Sequence, residues 1–171
     1  EGRSSSLTHL SSIVTSHCVS LTLKPTENED VRAGVALRMA FVLGTLTAGS
    51  EQNRLVLLGG AARLGAALVH ISAIIDELPP QDPRHGLFHP LLVKLVCYFG
   101  HLAISDRGGA QLAAMGTVMS TILDLIKVTV ASDCESEFTL TLFATLANLS
   151  YHAHDQSPLI LRRLELLTCI T

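Results

Sequence analysis

The sequence predicts an all-α fold built as a solenoid of helical repeats, and three observations support that prediction. The 171 residues are 48% hydrophobic but only 4% aromatic and 16% charged, which excludes an intrinsically disordered chain. The apolar residues are mainly Leu and Ala, which favour helices over strands. A pattern of long, short and long helical segments also recurs along the chain, and repeats of this kind stack into solenoids.

The charge and cysteine content exclude several classes of protein. A net charge of −3 and a pI near 6.2 give no basic surface for phosphates, so we expect no nucleic-acid partner. The four cysteines contain no C-x-x-C pair, which favours free thiols in a reducing, cytoplasmic compartment. No run of about 18 consecutive apolar residues occurs, so we expect no membrane span.

The first predicted helix covers residues 7–23 and is the last helix of a partial repeat, residues 1–24. Residues 24–30 then form a loop, whose acidic end favours the positive N-terminus of the next helix. Because the chain starts at Glu1 rather than Met and ends within an apolar helical run, we expect it to be a single repeat domain cut from a longer protein.

Three segments, residues 37–47, 93–103 and 140–150, share one pattern. In each, a small residue is followed by a polar residue and then by Leu. Apolar side chains recur at positions i, i+4 and i+7, which predicts one face of an amphipathic helix. These side chains are Met39, Leu43 and Leu46, then Leu95, Phe99 and Leu102, then Leu142, Leu146 and Leu149.

The regions after the first two segments also resemble each other. A short apolar stretch leads to a glycine, Gly60 or Gly116, and a longer apolar helix comes next. The predicted repeats cover residues of about 30–76, 90–131 and 135–171, the last one truncated. An insertion at 77–90 separates the first two; residues 76–90 hold four of the six prolines and are predicted to be neither helix nor central strand.

A repeat of roughly 40 to 47 residues with three helices has the size of an armadillo repeat. The strings FATLANLS (143–150) and AFVLGTLT (40–47) resemble its third helix, with the family patterns A-L-x-N-L-S and L-G-N-L-T. The resemblance to the armadillo family covers essentially the whole chain, and segments 38–47, 91–104 and 135–151 are similar to ciliary members.

The armadillo resemblance implies a right-handed α-solenoid of armadillo or HEAT type. It implies a non-enzymatic scaffold or adaptor of cilia and flagella, located in the cytoplasm and the cilium. Its partners would be axonemal or ciliary-transport components, in axoneme and radial-spoke assembly. The alternative is a general cytosolic armadillo scaffold in signalling or trafficking.

The third helices of stacked repeats are expected to form a ladder on one concave surface. In nuclear-import armadillo proteins each rung is a Trp with an Asn four residues later, and the Asn grips the backbone of an extended peptide. The chain has no Trp, and Asn is kept at only one rung, so we expect no binding of import signals. The matching pairs are Phe41 with Thr45, Cys97 with His101, and Ala144 with Asn148.

A polar stripe runs one helical turn before these rungs, at Arg38, Lys94 and Thr141. With His101 it is mildly basic, although the chain is acidic overall. We therefore expect a groove that accepts an acidic or polar partner segment, either a helix or an extended chain. The alternative is that Arg38 and Lys94 are solvated charges on helix surfaces.

The proline-rich insertion is a second candidate partner site. Loops longer than about twelve residues are commonly functional or disordered. Leu87 and Phe88 offer an apolar anchor there. The alternative is a tolerated, flexible insertion without a partner.

The eight histidines do not predict a metal site. His152 and His154 are two residues apart and diverge on a helix. His85 and His89 would share a face only in a helix, which the surrounding prolines disfavour. No zinc-binding, phosphate-loop or nucleophile motif is present, so we expect no cofactor and no enzyme activity; a helical hydrolase or metal protein is a remote third class.

Overall fold

The computed structural model describes residues 2–21, 26–131 and 137–152, and within these residues it contains eight α-helices and no strand. The helices are α1 (Gly2–Val19), α2 (Glu29–Ala48), α3 (Glu51–Leu58), α4 (Ala61–Glu77), α5 (His85–Leu102), α6 (Asp106–Ala113), α7 (Gly116–Ala131) and α8 (Glu137–His152).

The predicted order of a long, a short and a long helix occurs twice, as α2 to α4 and as α5 to α7. The helices α2, α5 and α8 lie side by side in one row, and α1, α4 and α7 lie side by side in a second row. The predicted all-α fold of stacked helical repeats is confirmed. The repeat boundaries stay a prediction, and the continuation of the third repeat over 153–171 lies outside the described residues.

The helix α1 begins and ends earlier than expected, at Gly2 and Val19 rather than over 7–23. It packs against both α2 and α4, as the last helix of a preceding repeat would. Its buried residues Val14 and Cys18 join the core. Burial raises the pKa of the Cys18 thiol to about 12.

The core lies between the two rows of helices, and the predicted apolar faces supply much of it. Along α5 and α8 every member of the predicted set is buried, whereas along α2 Met39 and Leu46 are only partly buried. The buried members are Leu43, Leu95, Phe99, Leu102, Leu142, Leu146 and Leu149.

Both short helices begin in the same way, which the sequence patterns above did not predict. Ser50 precedes α3 and its hydroxyl accepts a hydrogen bond from the Asn53 amide (3.3 Å), and Ser105 precedes α6 and accepts one from the Gly108 amide (3.2 Å). These are N-caps, which satisfy an amide left free by the first turn of a helix. An acidic residue comes directly after each serine, and these Ser-Glu and Ser-Asp pairs could have predicted the two helix starts from the sequence.

A sharp bend lies after each short helix, of 78° between α3 and α4 and of 85° between α6 and α7. Gly60 and Gly116 lie at these bends, as predicted, but within the described residues no glycine has a positive φ. At Gly60 the reason for glycine is a close approach. A Cβ there would lie 2.6 Å from the Ser11 Oγ of α1.

The proline-rich segment is more helical than predicted, and this corrects the expectation for 76–90. The helix α4 continues to Glu77 and α5 begins at His85, so the loop between them covers only residues 78–84. Pro90 is the sixth residue of α5. Proline lacks an N–H, and so close to the N-terminus it costs one helical hydrogen bond, which the packed helix tolerates.

The count of consecutive apolar residues overlooked segments that are long and apolar enough to span a membrane. Judged by length and composition alone, α2 is apolar enough to cross a membrane, and so is each bent pair, α3 with α4 and α6 with α7, if taken as one span. Counting consecutive apolar residues missed α2 because its polar residues are few and scattered. Among the described residues, α2 packs against both α1 and α5.

Candidate partner-binding cleft

A cleft of about 240 Å³ lies between α2 and α5, where the stripe was predicted. It brings together five of the predicted residues, Phe41 and Thr45 from α2 with Lys94, Cys97 and His101 from α5. Three small residues on α2 complete it, namely Ala40, Gly44 and Ala48.

The small residues explain why the cleft exists, and the sequence pattern of the rungs did not single them out. They are spaced four residues apart, so they form one strip along α2. Among the described residues, no neighbouring heavy atom would lie within 4 Å of a Cβ built at Gly44. The spacing Ala-x-x-x-Gly-x-x-x-Ala was the signal that could have revealed this strip of small residues.

An aromatic ring and a cation stand at the edge of the cleft. Phe41 is 57% exposed although it is a large apolar residue. The Lys94 Nζ lies 5.7 Å from the centre of the Phe41 ring, within range of a cation–π interaction. Among the described residues, neither Lys94 nor Arg38 forms an ion pair. The cleft therefore presents apolar surface beside an available positive charge.

The polar rung residues are occupied by hydrogen bonds within the fold. The His101 Nδ1 donates to the Gly44 carbonyl (3.0 Å), which fixes the imidazole against α2. The Thr45 hydroxyl donates to the carbonyl of Phe41 in its own helix (3.0 Å). The His101 bond joins α5 to α2, whereas the Thr45 bond stays within α2.

The next junction, between α5 and α8, repeats one of these bonds. The Asn148 amide donates to the Gly100 carbonyl (3.1 Å), in the place where His101 bonds to Gly44. Here, however, α8 approaches closely, and a Cβ at Gly100 would lie 2.6 Å from the Thr145 Oγ1. The buried Thr145 thus fills the space in front of Gly100, whereas the corresponding space in front of Gly44 is open.

Four of the nine predicted groove residues do not line the cleft, namely Arg38, Thr141, Ala144 and Asn148. Arg38 is exposed on α2, and Thr141 and Ala144 lie on α8. The Thr141 hydroxyl donates to the carbonyl of Glu137 in its own helix (2.8 Å). Only five of the nine predicted residues therefore meet, at the junction of α2 with α5. The use of this site by a partner stays a prediction.

The second candidate site, at Leu87 and Phe88, is corrected by the structure. Phe88 is fully buried in the core and Leu87 is partly buried against it. Both belong to α5 rather than to a loop, because the helix starts at His85. Phe88 is therefore unavailable as an anchor for a partner.

A charge cluster ties the loop before α5 to the start of α2. The buried Arg84 lies 2.7 Å from the Asp82 carboxylate (Nη2 to Oδ2) and 3.7 Å from the buried Glu29 (Nη1 to Oε2). The Arg84 hydrogen bonds lower the pKa of Asp82 to about 2. A cavity of about 580 Å³ adjoins the cluster. The Arg84 guanidinium beside it is already balanced by the carboxylates of Asp82 and Glu29. We interpret the cluster as structural.

The histidines need one correction. His85 and His89 do share a face, because both lie in α5, four residues apart. The His85 Nε2 lies 3.0 Å from the Pro79 carbonyl, and the His89 ring packs edge-on against Phe138, 5.1 Å between centroids. In the part of the chain that the structure describes, no three His, Cys, Asp or Glu side chains group around a metal position. His154 lies outside it.

Comparisons with known proteins place these observations in context. The chain matches no protein-family profile and has no significant match among solved structures. It is 27% identical over 160 residues to Armadillo repeat-containing protein 2 of Mus musculus and 26% identical over 161 residues to that of Bos taurus.

Both matches cover 87% of this chain, and the chain spans only 18% of the length of either relative. The described helices give the matched region an all-α architecture of stacked repeats, as an armadillo relative implies. The chain is thus distantly but significantly similar to Armadillo repeat-containing protein 2, and the armadillo resemblance predicted from its repeated helices is confirmed.

Proposed function

We propose that this chain is a non-enzymatic scaffold or adaptor that binds other proteins through the cleft between α2 and α5. The observation that carries the proposal is the exposed Phe41 ring beside Lys94, at the mouth of an open cleft. An exposed aromatic residue next to a concave surface is typical of a protein interaction site. The armadillo resemblance supports the same class of function.

Charge reversal on the intact protein tests the proposal. We expect the double variant Arg38→Glu/Lys94→Glu to lose a defined set of neighbours in proximity labelling, and the loss to be largest at low ionic strength. The matched control is Arg63→Glu/Lys127→Glu, which reverses two exposed charges on α4 and α7. An unchanged set of neighbours and unchanged salt dependence in the double variant would contradict the proposal.

The cellular role that we propose is in the cilium or flagellum, in axoneme and radial-spoke assembly or in transport. Support comes from the similarity of segments 38–47, 91–104 and 135–151 to ciliary armadillo proteins. The second candidate is a cytosolic scaffold in signalling or trafficking. Imaging of the tagged full-length protein separates them: signal at a flagellum or basal body favours the ciliary role, and diffuse cytosolic signal favours the alternative.

A further inference from the structure

We propose that the cleft between α2 and α5 binds an acidic amphipathic helix of a partner protein, not an extended segment. This inference rests on the proposed function, because it specifies the kind of segment that occupies the proposed site. It is carried by three features: the hydrogen bonds of the rung residues, the shape of the α2 surface and the distribution of charge.

The hydrogen bonds argue against an extended partner. An extended segment carries free backbone N–H and C=O groups, which need partners when they are buried. The two polar rung side chains that line the cleft already have partners within the fold: the His101 Nδ1 donates to the Gly44 carbonyl, and the Thr45 hydroxyl donates to the Phe41 carbonyl. A helix satisfies its own backbone groups and needs only side-chain contacts, so it is the form of partner that this surface favours.

The shape of the cleft suits a helix. Ala40, Gly44 and Ala48 form a strip of small residues along α2, with Lys94 and Cys97 of α5 on the opposite side. Helices bind in grooves of this kind by inserting apolar side chains from one face. The volume of about 240 Å³ leaves room for a large apolar side chain beside the exposed Phe41 ring.

The charge distribution selects an acidic helix. The chain has a net charge of −3, yet there is no Asp or Glu in α5, and none in α2 beyond its first two residues. Among the described residues, no carboxylate lines the cleft, whereas Lys94 does, and Arg38 lies exposed one turn before Phe41. A carboxylate next to the apolar anchor of the partner would pair with Lys94 in a partly desolvated setting.

Two phage-displayed peptide libraries test this inference on the full-length protein. In one, residues are varied on one face of a fixed Ala-rich helix; in the other, a proline at every third position keeps the peptides extended. Binders are selected on the wild-type protein after removal of those that bind Gly44→Leu/Lys94→Glu. The counter-selection directs both libraries to the cleft.

Enriched peptides are then synthesised, and their affinities are measured by fluorescence anisotropy against single variants. The Gly44→Leu substitution fills the cleft from α2, and Lys94→Glu reverses its charge. Gly34→Leu is the matched control on the same helix, since a Cβ there also has no neighbour within 4 Å in the part of the chain that the structure describes. Arg63→Glu is the control for charge. Circular dichroism verifies the fold, and Lys94→Glu alone suffices if Gly44→Leu does not fold.

We expect binders from the helical library, with a carboxylate and a large apolar residue on one face. Their affinity should fall at least tenfold with either cleft variant and change less than twofold with either control. Binders from the extended library alone, or helical binders without carboxylates, would overturn this inference but leave the cleft as a partner site. Absence of enrichment in both libraries would overturn the proposed partner site as well.

Discussion

The junction of α2 with α5 and the junction of α5 with α8 are built on the same hydrogen bond but differ in closure. In each, a rung side chain donates to a glycine carbonyl of the neighbouring helix. His101 of α5 donates to Gly44 of α2 (3.0 Å), and Asn148 of α8 donates to Gly100 of α5 (3.1 Å). At the second junction Thr145 fills the space in front of Gly100. At the first junction the space in front of Gly44 is open.

Phe138 and Phe41, one at each junction, differ in the same sense. Phe138, at the junction of α5 with α8, is 6% exposed and packs against the His89 ring, whereas Phe41 is 57% exposed. One repeated scaffold thus forms a closed junction, which contributes stability, and an open junction, which leaves a surface for a partner. Substitutions at the two junctions should therefore separate stability from binding.

The largest expected effect is at the two phenylalanines. Phe138→Ala removes a buried ring and should lower the free energy of unfolding by about 3 kcal/mol. Phe41→Ala removes an exposed ring and should change it by less than about 0.5 kcal/mol. Urea denaturation followed by circular dichroism measures both. Equal costs for the two substitutions would contradict the distinction between a closed and an open junction.

The two glycines should respond with opposite signs. Gly100→Ala places a Cβ against the Thr145 Oγ1, and we expect it to destabilise the fold by about 1 to 2 kcal/mol. Gly44→Ala adds a methyl group in open space within a helix and should stabilise the fold by about 0.5 to 1 kcal/mol. Thermal unfolding measures both variants. If the clash is the cause, Thr145→Ala should recover part of the stability lost in Gly100→Ala.

The sequence predicted the repeated helices well because their apolar spacing is a local signal. Leu95 and Phe99 are buried as their spacing predicts. Pro90 and Phe88 show the limit of local reasoning, since packing of α5 retains a helix through a proline that the residue pattern alone would exclude. The proline count suggested a loop, whereas burial of Phe88 on the core favours the helix.

The candidate site was predictable only in part. The repeat alignment placed Phe41, Lys94 and His101 at one surface, and the structure brings them to one cleft. It could not distinguish the junction that α8 closes from the one left open, because closure depends on how near the helices approach. Contacts between distant residues, such as Thr145 with Gly100, decide that distance.

The two rung bonds should contribute smaller and similar amounts. His101→Ala and Asn148→Ala each remove one hydrogen bond between neighbouring helices, and each should cost about 1 kcal/mol in the free energy of unfolding. Chemical denaturation provides the measurement, and Thr45→Ala, which removes a hydroxyl bonded only within its own helix, is the control. A cost at one rung alone would show that the two junctions do not share the same bond.

The smallest expected effect is a pH dependence located at the closed junction. Burial lowers the pKa of His89 below its ordinary value of 6.5, and the nearby His85 lowers it further. The unfolded chain therefore binds more protons at this site than the folded chain, so stability falls as the pH decreases through about 6.5. His89→Gln should flatten the decrease in melting temperature between about pH 7 and 5, relative to wild type and to the matched control His9→Gln on α1. An equally steep decrease in His89→Gln would place the pH dependence elsewhere in the molecule.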